Sequence, residues 1–328
     1  MAYRPPYQIT RKMNHYISEI MKVVGQLEVI GNLDSLPELR KLNRISAIQS
    51  SLAIEGNTLT KGQISDIMNG NPVYGESMRE IQEAKNAIEV YDQVLEINPY
   101  DVKDLLKYHK MMTKALIVDA GHFRKEQVGV YQGNKALHLA PPADRVPHLI
   151  NQLFDYVNND IEHFLIKSCV FHFEFELIHP FSDGNGRMGR LFQTCLMLHE
   201  EPIFAAIPVE SIIKERQQDY YQALQNSQRS GESTTFIEFM LDVILEAIKR
   251  TYEKVREGYY LSSIQVKKMM NLMEDGIPYT TLELMDELKM KSRASFKKHY
   301  MDPAIKEGFV KMTIPEKPSS RNQRYIKK

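Results

Sequence analysis

Apolar residues recur every three or four positions through most of the chain, the period of a helix with one buried face. From about Gln8 to Ile30 the stripe is Ile17, Ile20, Met21, Val24 and Leu27, stopped by Gly31-Asn32. A second helix starts near Pro37, behind Asp34 and Ser35, and carries Leu39, Leu42, Ile45, Ile48 and Leu52 inward. Glu55 is the next position on that stripe, with Gly56-Asn57 as a stop. A carboxylate on a face due for burial needs a cation, unless the helix end frays into water. Thr60-x-x-Gln63 reads as the capping box of a short helix closed by Gly70. Ser77-x-x-Glu80 opens a long helix with Ile81, Ala84, Ile88, Tyr91 and Leu95 buried, ended by Asn98-Pro99. The helix over about Val102 to Leu116 turns Leu105, Leu106, His109 and Met112 inward, which makes His109 a packed histidine rather than a ligand.

Between 117 and 142 the period changes. Val128-Gly129-Val130-Tyr131, a Gln132-Gly133-Asn134 turn and Ala136-Leu137-His138-Leu139 form a hairpin behind Gly121-His122-Phe123-Arg124. Helices resume at about Ala143 to Val157 and Asp160 to Leu177, and again at Val209 to Gln228 and Thr235 to about Tyr259. From about Leu261 a different pattern begins. Helices at Ile264 to Met273, Thr280 to Leu288 and Ser292 to Glu307 precede two strands, Phe309 to Ile314 and Arg324 to Ile326. Three helices and a two-stranded wing predict a winged helix.

The chemistry is concentrated in His179-Pro180-Phe181-Ser182-Asp183-Gly184-Asn185-Gly186-Arg187-Met188-Gly189-Arg190. Gly184, Asn185 and Gly186 can take positive φ and bring backbone N–H groups to an anion. A helix opening at about Arg187 adds its unpaired N–H groups and dipole. Met188, Leu191, Phe192 and Cys195 bury one face, so Arg187 and Arg190 should lie together off it and fork onto phosphate oxygens. His179 can accept a proton near neutral pH, and Asp183 is a hard ligand suited to Mg²⁺. Tyr220 and Tyr221 could border a nucleotide base, although core packing suits them better. His163 and His172 have no partners at zinc spacing and read as structural.

That stretch resembles the signature of the Fic family, His-x-Phe-x-[Asp/Glu]-Gly-Asn-Gly-Arg-x-x-Arg, at every specified position. The resemblance implies a mainly α, Fic-type helical domain with a β-hairpin flap, and transfer of AMP from ATP to a protein hydroxyl. His179 would deprotonate the incoming hydroxyl, and Asp183 would hold Mg²⁺. Gly184, Asn185, Gly186 and Arg187 would cradle the α- and β-phosphates, and Arg190 would reach the γ-phosphate. Ser51-Leu52-Ala53-Ile54-Glu55-Gly56 is similar to the family's inhibitory motif, [Ser/Thr]-x-x-x-Glu-[Gly/Asn], which implies that Glu55 pairs with Arg190 and blocks the γ-phosphate. The hairpin resembles the family's flap, with Val128, Gly129, Val130 and Tyr131 docking a target segment by strand addition. Self-modification, removal of AMP with Glu55 positioning a water, and other nucleotide donors all occur as variants of this reading.

The expected division is an N-terminal helical arm over 1–36 and a Fic domain over 37–259, with its inhibitory helix at 37–56 and flap at 121–142, then a winged helix over 260–328. In 328 residues of zero formal net charge, wholesale nucleic-acid or membrane binding is disfavoured. From Ser292 onward, however, ten Lys and Arg face three Asp and Glu, so residues 292–328 carry +7. That is the footprint of a DNA contact, with Arg321 and Arg324 on the wing. It supports an alternative, a DNA-binding regulator whose Fic site is a nucleotide sensor. Two cysteines, Cys169 and Cys195, offer no disulfide framework, and no apolar span or signal peptide is visible. A cytoplasmic location is expected, and a homo-oligomer stays open.

Overall fold

The computed structural model describes residues 3–30, 37–132, 135–256, 264–306, 308–318, 320 and 322–327. They fall into two compact units, Met1–Thr251 and Tyr252–Lys328. The first is almost entirely helical. Its helices are α1 (Arg11–Ile30), α2 (Pro37–Ile54), α3 (Lys61–Met68), α4 (Met78–Asp92) and α5 (Val102–Met112). After the hairpin β1 (Gly129–Gln132) and β2 (Lys135–Leu139) come α6 (Val146–Asn159), α7 (Phe164–Ile178), α8 (Asn185–Glu200), α9 (Val209–Glu215), α10 (Gln217–Ser230) and α11 (Thr234–Arg256).

α7 is apolar on almost every side and forms the axis of the unit. Leu165, Ile166, Cys169, Val170, Phe171, Phe173 and Phe175 are all buried, as a helix without a polar face must be. It packs along α8, whose Met188, Leu191, Phe192, Cys195 and Leu196 are also buried. Phe171 links the two by stacking on Phe192, ring centroids 5.9 Å apart. The stretch from His179 to Gly184 connects these two helices, so its ends are set by that packed pair.

Several expected helices are shorter or broken. The stretch 209–228 is two helices separated at Arg216, and the helix after Ser77 stops at Asp92, leaving Leu95 61% exposed. On α2, Leu42 faces solvent at 44% exposure. Asn43 is buried instead, donating to the Ala206 carbonyl at 2.6 Å, because the turn at Pro202–Ala206 covers a side of the helix that the apolar stripe misses. The hairpin is antiparallel, Gly129 opposite Leu139 and Gln132 opposite Lys135, with a register shift between Val130 and Tyr131. Gly133 and Asn134 of its turn lie outside the described residues. Among the described residues, no helix is long and apolar enough to cross a membrane.

The second unit has its own core of Val266, Met269, Met273, Leu284, Met285, Phe296, Met301, Ala304 and Val310. Its sheet has three strands rather than two. β3 (Pro278–Tyr279) lies between α12 (Ile264–Leu272) and α13 (Thr281–Glu287) and pairs with β5 (Tyr325–Lys327), which also pairs with β4 (Val310–Met312). The third helix is not continuous. α14 (Arg293–Phe296) and α15 (Asp302–Lys306) flank a π-turn at Lys297–Met301. Pro303 has no N–H to return to the preceding turn, which accounts for the widened register. Arg321 lies outside the described residues.

Behind the α7–α8 connection stands His109 of α5, fully buried and stacked on Phe181 with centroids 3.5 Å apart and planes 4° from parallel. The Gly121 N–H donates to His109 Nδ1 at 3.0 Å, so the proton must sit on Nε2, which donates to the Asp183 carbonyl at 3.0 Å. Protonating Nδ1 would drive a second hydrogen against that N–H. Burial, the main cause, holds the imidazole down at about 4. Below about pH 6.5 the unfolded chain binds a proton that the folded chain refuses, so stability is full above this window and falls as pH drops towards 4. The loss is on the order of 3 kcal/mol. Replacing His109 by Gln, whose amide can both accept and donate, should flatten this acid slope in urea titrations run from pH 6.5 to 4. An unchanged slope would mean that the ring is not held neutral.

Candidate active site

α7 ends by turning its last residue over. His179, its C-cap, takes φ 49° and ψ 61°, the left-handed region. A non-glycine there costs about 1–3 kcal/mol and persists only where the surroundings over-determine it. Two groups do so. The Asn185 side chain clamps Phe181 from both sides, accepting its N–H at 2.9 Å and donating to its carbonyl at 2.9 Å. Arg124 donates through Nε to the His179 carbonyl at 2.8 Å. The overturned residue lines a cavity of about 500 Å³ with Asp183, Gly184, Asn185, Gly186 and Arg190.

The helix that receives the loop opens two residues earlier than its pattern implies, at Asn185 rather than Arg187. Of the three residues expected to supply positive φ, only Gly184 does, at φ 85°. Asn185 and Gly186 are already helical, and no side chain caps this N-terminus. Gly186 is needed for a different reason. A Cβ there would collide with Glu55 Oε1 and come within 2.9 Å of Arg190 Nη1. The glycine leaves room for an anion against the start of α8, where unpaired N–H groups and the dipole favour negative charge.

Glu55 fills that room. It lies in the turn just after α2, its side chain 41% exposed rather than buried on the helix stripe. Arg190, 2% exposed, reaches it through Nη2 at 2.7 Å. The same Nη2 donates to the Ser51 carbonyl at 3.1 Å, and Nε donates to Ser51 Oγ at 3.3 Å. The end of α2 is held from the far side. Lys214 donates to the Ala53 carbonyl at 2.8 Å, and Gln217 to that of Ile54 at 2.9 Å. Beyond the turn, the Thr58 N–H and Asn57 Nδ2 donate to Glu80 and Glu83 of α4, at 2.8 and 3.0 Å.

The two arginines of the stretch do not lie together. Arg187 is 4% exposed and turns back to Asp183 Oδ1 at 3.1 Å, while its Nε and Nη1 are buried with no partner among the described residues. Asp183 also accepts the Gly184 N–H at 2.6 Å on Oδ1, and Arg79 of α4 at 3.0 Å on Oδ2. Tyr220, Tyr221, Leu224, Gln225, Gln228 and Glu176 line the same cavity. Glu176 keeps 15% of its side chain exposed, and its Oε1 has no hydrogen-bond partner among the described residues, with His172 Nε2 4.0 Å away. Desolvation pushes it up to about 7. His172 instead bonds Gln193 at 2.6 Å and Tyr220 at 3.0 Å, with burial holding it down at about 3. His163 accepts the Leu165 N–H at the start of α7. Of the four expected docking residues, Gly129, Val130 and Tyr131 are in β1, and Val128 precedes it, its carbonyl accepting the Ala140 N–H at 3.3 Å.

Arg79, Arg124, Glu176, Lys214 and Gln217 escape a reading by local pattern. Arg79 and Arg124 meet their partners 104 and 55 positions away, and no spacing signals that. Among the described residues, no three His, Cys, Asp or Glu side chains converge as a metal cluster. Asp183 is a carboxylate beside the cradle, and Mg²⁺ commonly makes do with one, plus phosphate oxygens and water.

The Fic/DOC family model matches residues 99–197, and that of the Fic-like C-terminal domain, "Filamentation induced by cAMP protein Fic-like", matches 264–326. The chain is 29% identical over 259 residues to a protein adenylyltransferase Fic of Aedes aegypti, and 30% identical over 208 residues to that of Culex quinquefasciatus. Those alignments cover 74% and 60% of this chain but only 48% and 39% of the relatives, so the chain spans about half their length or less. Among solved structures, Fic-1 of C. elegans matches at TM-score 0.62 and 21% identity over 75% of this chain and 73% of that one. A Fic family protein from Desulfovibrio desulfuricans matches at TM-score 0.79 and 38% identity, covering 99% of this chain and 98% of that one. With 38% identity over nearly all of both sequences, the chain belongs to the Fic family.

Proposed function

We propose that this protein transfers AMP from ATP to a hydroxyl side chain of another protein, and that Glu55 restrains the reaction. The observation that carries the reading is the Glu55 carboxylate seated on Arg190 and Gly186, at the start of α8 and inside the cavity that holds His179. An anion already occupies the place where the outer phosphate of a triphosphate would lie. The insect relatives are named for adenylyl transfer, which supports this donor class.

In this mechanism the first-turn N–H groups of α8 and the unpartnered donors of Arg187 receive the α- and β-phosphates. His179 takes the proton of the acceptor hydroxyl as its oxygen bonds to the α-phosphorus, and pyrophosphate departs. Asp183 would hold Mg²⁺, which neutralises phosphate charge when bound, and Arg79 must then release the carboxylate. Positioning and charge neutralisation supply most of the rate. Glu176, with its raised pKa, is partly neutral near pH 7 and so opposes a triphosphate less than a fixed charge would. Tyr220 and Tyr221 border the base. An acceptor segment adds along β1 by main-chain pairing, which demands little of its sequence. The half-exposed Glu55–Arg190 pair is worth about 1–2 kcal/mol, so its restraint amounts to roughly tenfold.

A second reading concerns the C-terminal unit alone. Arg293, Lys297 and Lys298 are exposed around the buried Phe296. A winged helix presenting such a row fits a phosphate backbone, and DNA bound there would make the chain a regulator with a nucleotide-sensing site.

With labelled ATP and Mg²⁺, Glu55→Gly should raise protein labelling about tenfold, and His179→Ala in that background should abolish it. A folded Glu55→Gly protein that labels no better than the parent would remove Glu55 from the account. In the same background, Gly186→Ala should weaken ATP binding at least tenfold by calorimetry, since the methyl group fills the cradle; unimpaired binding would place the phosphates elsewhere. For the second reading, replacing Arg293, Lys297 and Lys298 by Ala should weaken duplex DNA binding and flatten its salt dependence by about three phosphate contacts. No salt-dependent binding by the parent protein would end that reading.

A further inference from the structure

Arg124 is buried, 3% exposed, and its guanidinium meets no carboxylate among the described residues. Carbonyl oxygens satisfy it instead. Nε donates to His179 at 2.8 Å, and Nη2 donates to Ile178 at 3.4 Å, so the cation closes the C-terminus of α7, where the dipole favours positive charge. Nη1 donates to Glu126 at 2.8 Å and Nη2 to Pro141 at 2.5 Å. Those two residues are the roots of the hairpin, one before β1 and one after β2. The Arg124 N–H donates to the Pro180 carbonyl at 2.9 Å, fastening the main chain to the same turn. One side chain therefore touches the overturned residue that carries the imidazole and both ends of the strand pair.

We infer that Arg124 is a positioning residue that sets the hairpin and the His179 imidazole in a common frame. The inference rests on the adenylyl-transfer reading, in which the hairpin presents the hydroxyl that His179 deprotonates. The register between acceptor and base is then a distance fixed through one guanidinium. The phosphate cradle at Gly184–Arg190 is supported separately, by His109, Asn185 and the α7–α8 packing. Loss of Arg124 should therefore leave nucleotide binding alone and spoil transfer. Lysine, with a single nitrogen, can cap α7 or hold one root of the hairpin, but cannot span them all.

The test compares Arg124→Gln and Arg124→Lys in the Glu55→Gly background of the full chain. Hydrogen–deuterium exchange of peptides covering 126–141 and 178–182 should rise several-fold in Arg124→Gln and less in Arg124→Lys, with other peptides unchanged. The calorimetric Kd for ATP should stay within about twofold, while transfer of labelled AMP falls at least tenfold. If exchange rises only at the hairpin or only at the turn, or if ATP binding falls in step with transfer, the inference is wrong. The exchange measurement needs no activity. A Glu55→Gly protein that transfers nothing would therefore count against adenylyl transfer, while the exchange pattern still decides whether Arg124 couples the hairpin to the turn.

Discussion

The first turn of α8 favours an anion. Its N–H groups have no intrahelical acceptor, no side chain caps them, and the helix that follows is buried along nearly its whole length. Water could serve at an exposed helix end, but this one faces a cavity lined by a second cation, Arg190. Glu55, 135 positions away from Arg190 along the sequence, brings its carboxylate beside Gly186 and pairs with that arginine. Gly186 makes this contact geometrically available because a single methyl group would exclude it. The same absence of a side chain that admits a carboxylate would admit a phosphate, so in the proposed mechanism restraint and binding draw on one feature.

The loop that delivers the imidazole depends on rigidity supplied from behind. A stacked, neutral His109 backs Phe181, Asn185 clamps the Phe181 backbone, and Arg124 closes α7. None of these groups lies in contact with a reacting atom in the proposed mechanism. Each removes a freedom that the loop and its left-handed histidine would otherwise keep, His109 and Asn185 behind the cradle and Arg124 at the end of α7.

How much of this is legible in the sequence follows the range of the interactions. The mainly helical architecture, the hairpin and the α7–α8 framing of the site are local periodicities, and they appear where the pattern puts them. The twelve residues from His179 to Arg190 are legible as a group because a tight turn and a helix start impose their own residue types. Within that group, roles assigned by residue type fail where a neighbour intervenes. The pattern gives Asn185 a positive φ, but it serves as a clamp, and Arg187, expected beside Arg190, folds back onto Asp183. Glu55 is legible as a misfit on an apolar stripe. The pattern leaves open whether it is buried or reaches water from a frayed helix end; the structure has both a cation and partial exposure, because the last turn of α2 unwinds before reaching it. Arg79, Lys214 and Gln217 carry no signal at all, since a charged or amide residue on a helix surface is the ordinary case.

Those unsignalled residues bear on how tightly Glu55 is held. Its pair with Arg190 is half-exposed and modest in energy, too weak alone to fix a carboxylate at the end of a frayed helix. The backbone on either side is where the restraint is built. Before Glu55, the carbonyls of Ala53 and Ile54 are taken by Lys214 and Gln217, with the Tyr221 hydroxyl 3.4 Å from the second. After it, Asn57 and Thr58 are tied to α4, the helix whose Arg79 occupies Asp183. Tyr221 also lines the cavity, so a ligand that displaces it removes a donor from the helix end that carries Glu55. The Glu55 carboxylate and the Tyr221 wall of the cavity are therefore joined through the hydrogen bonds of one turn, and α4 links that turn to Asp183 through Arg79.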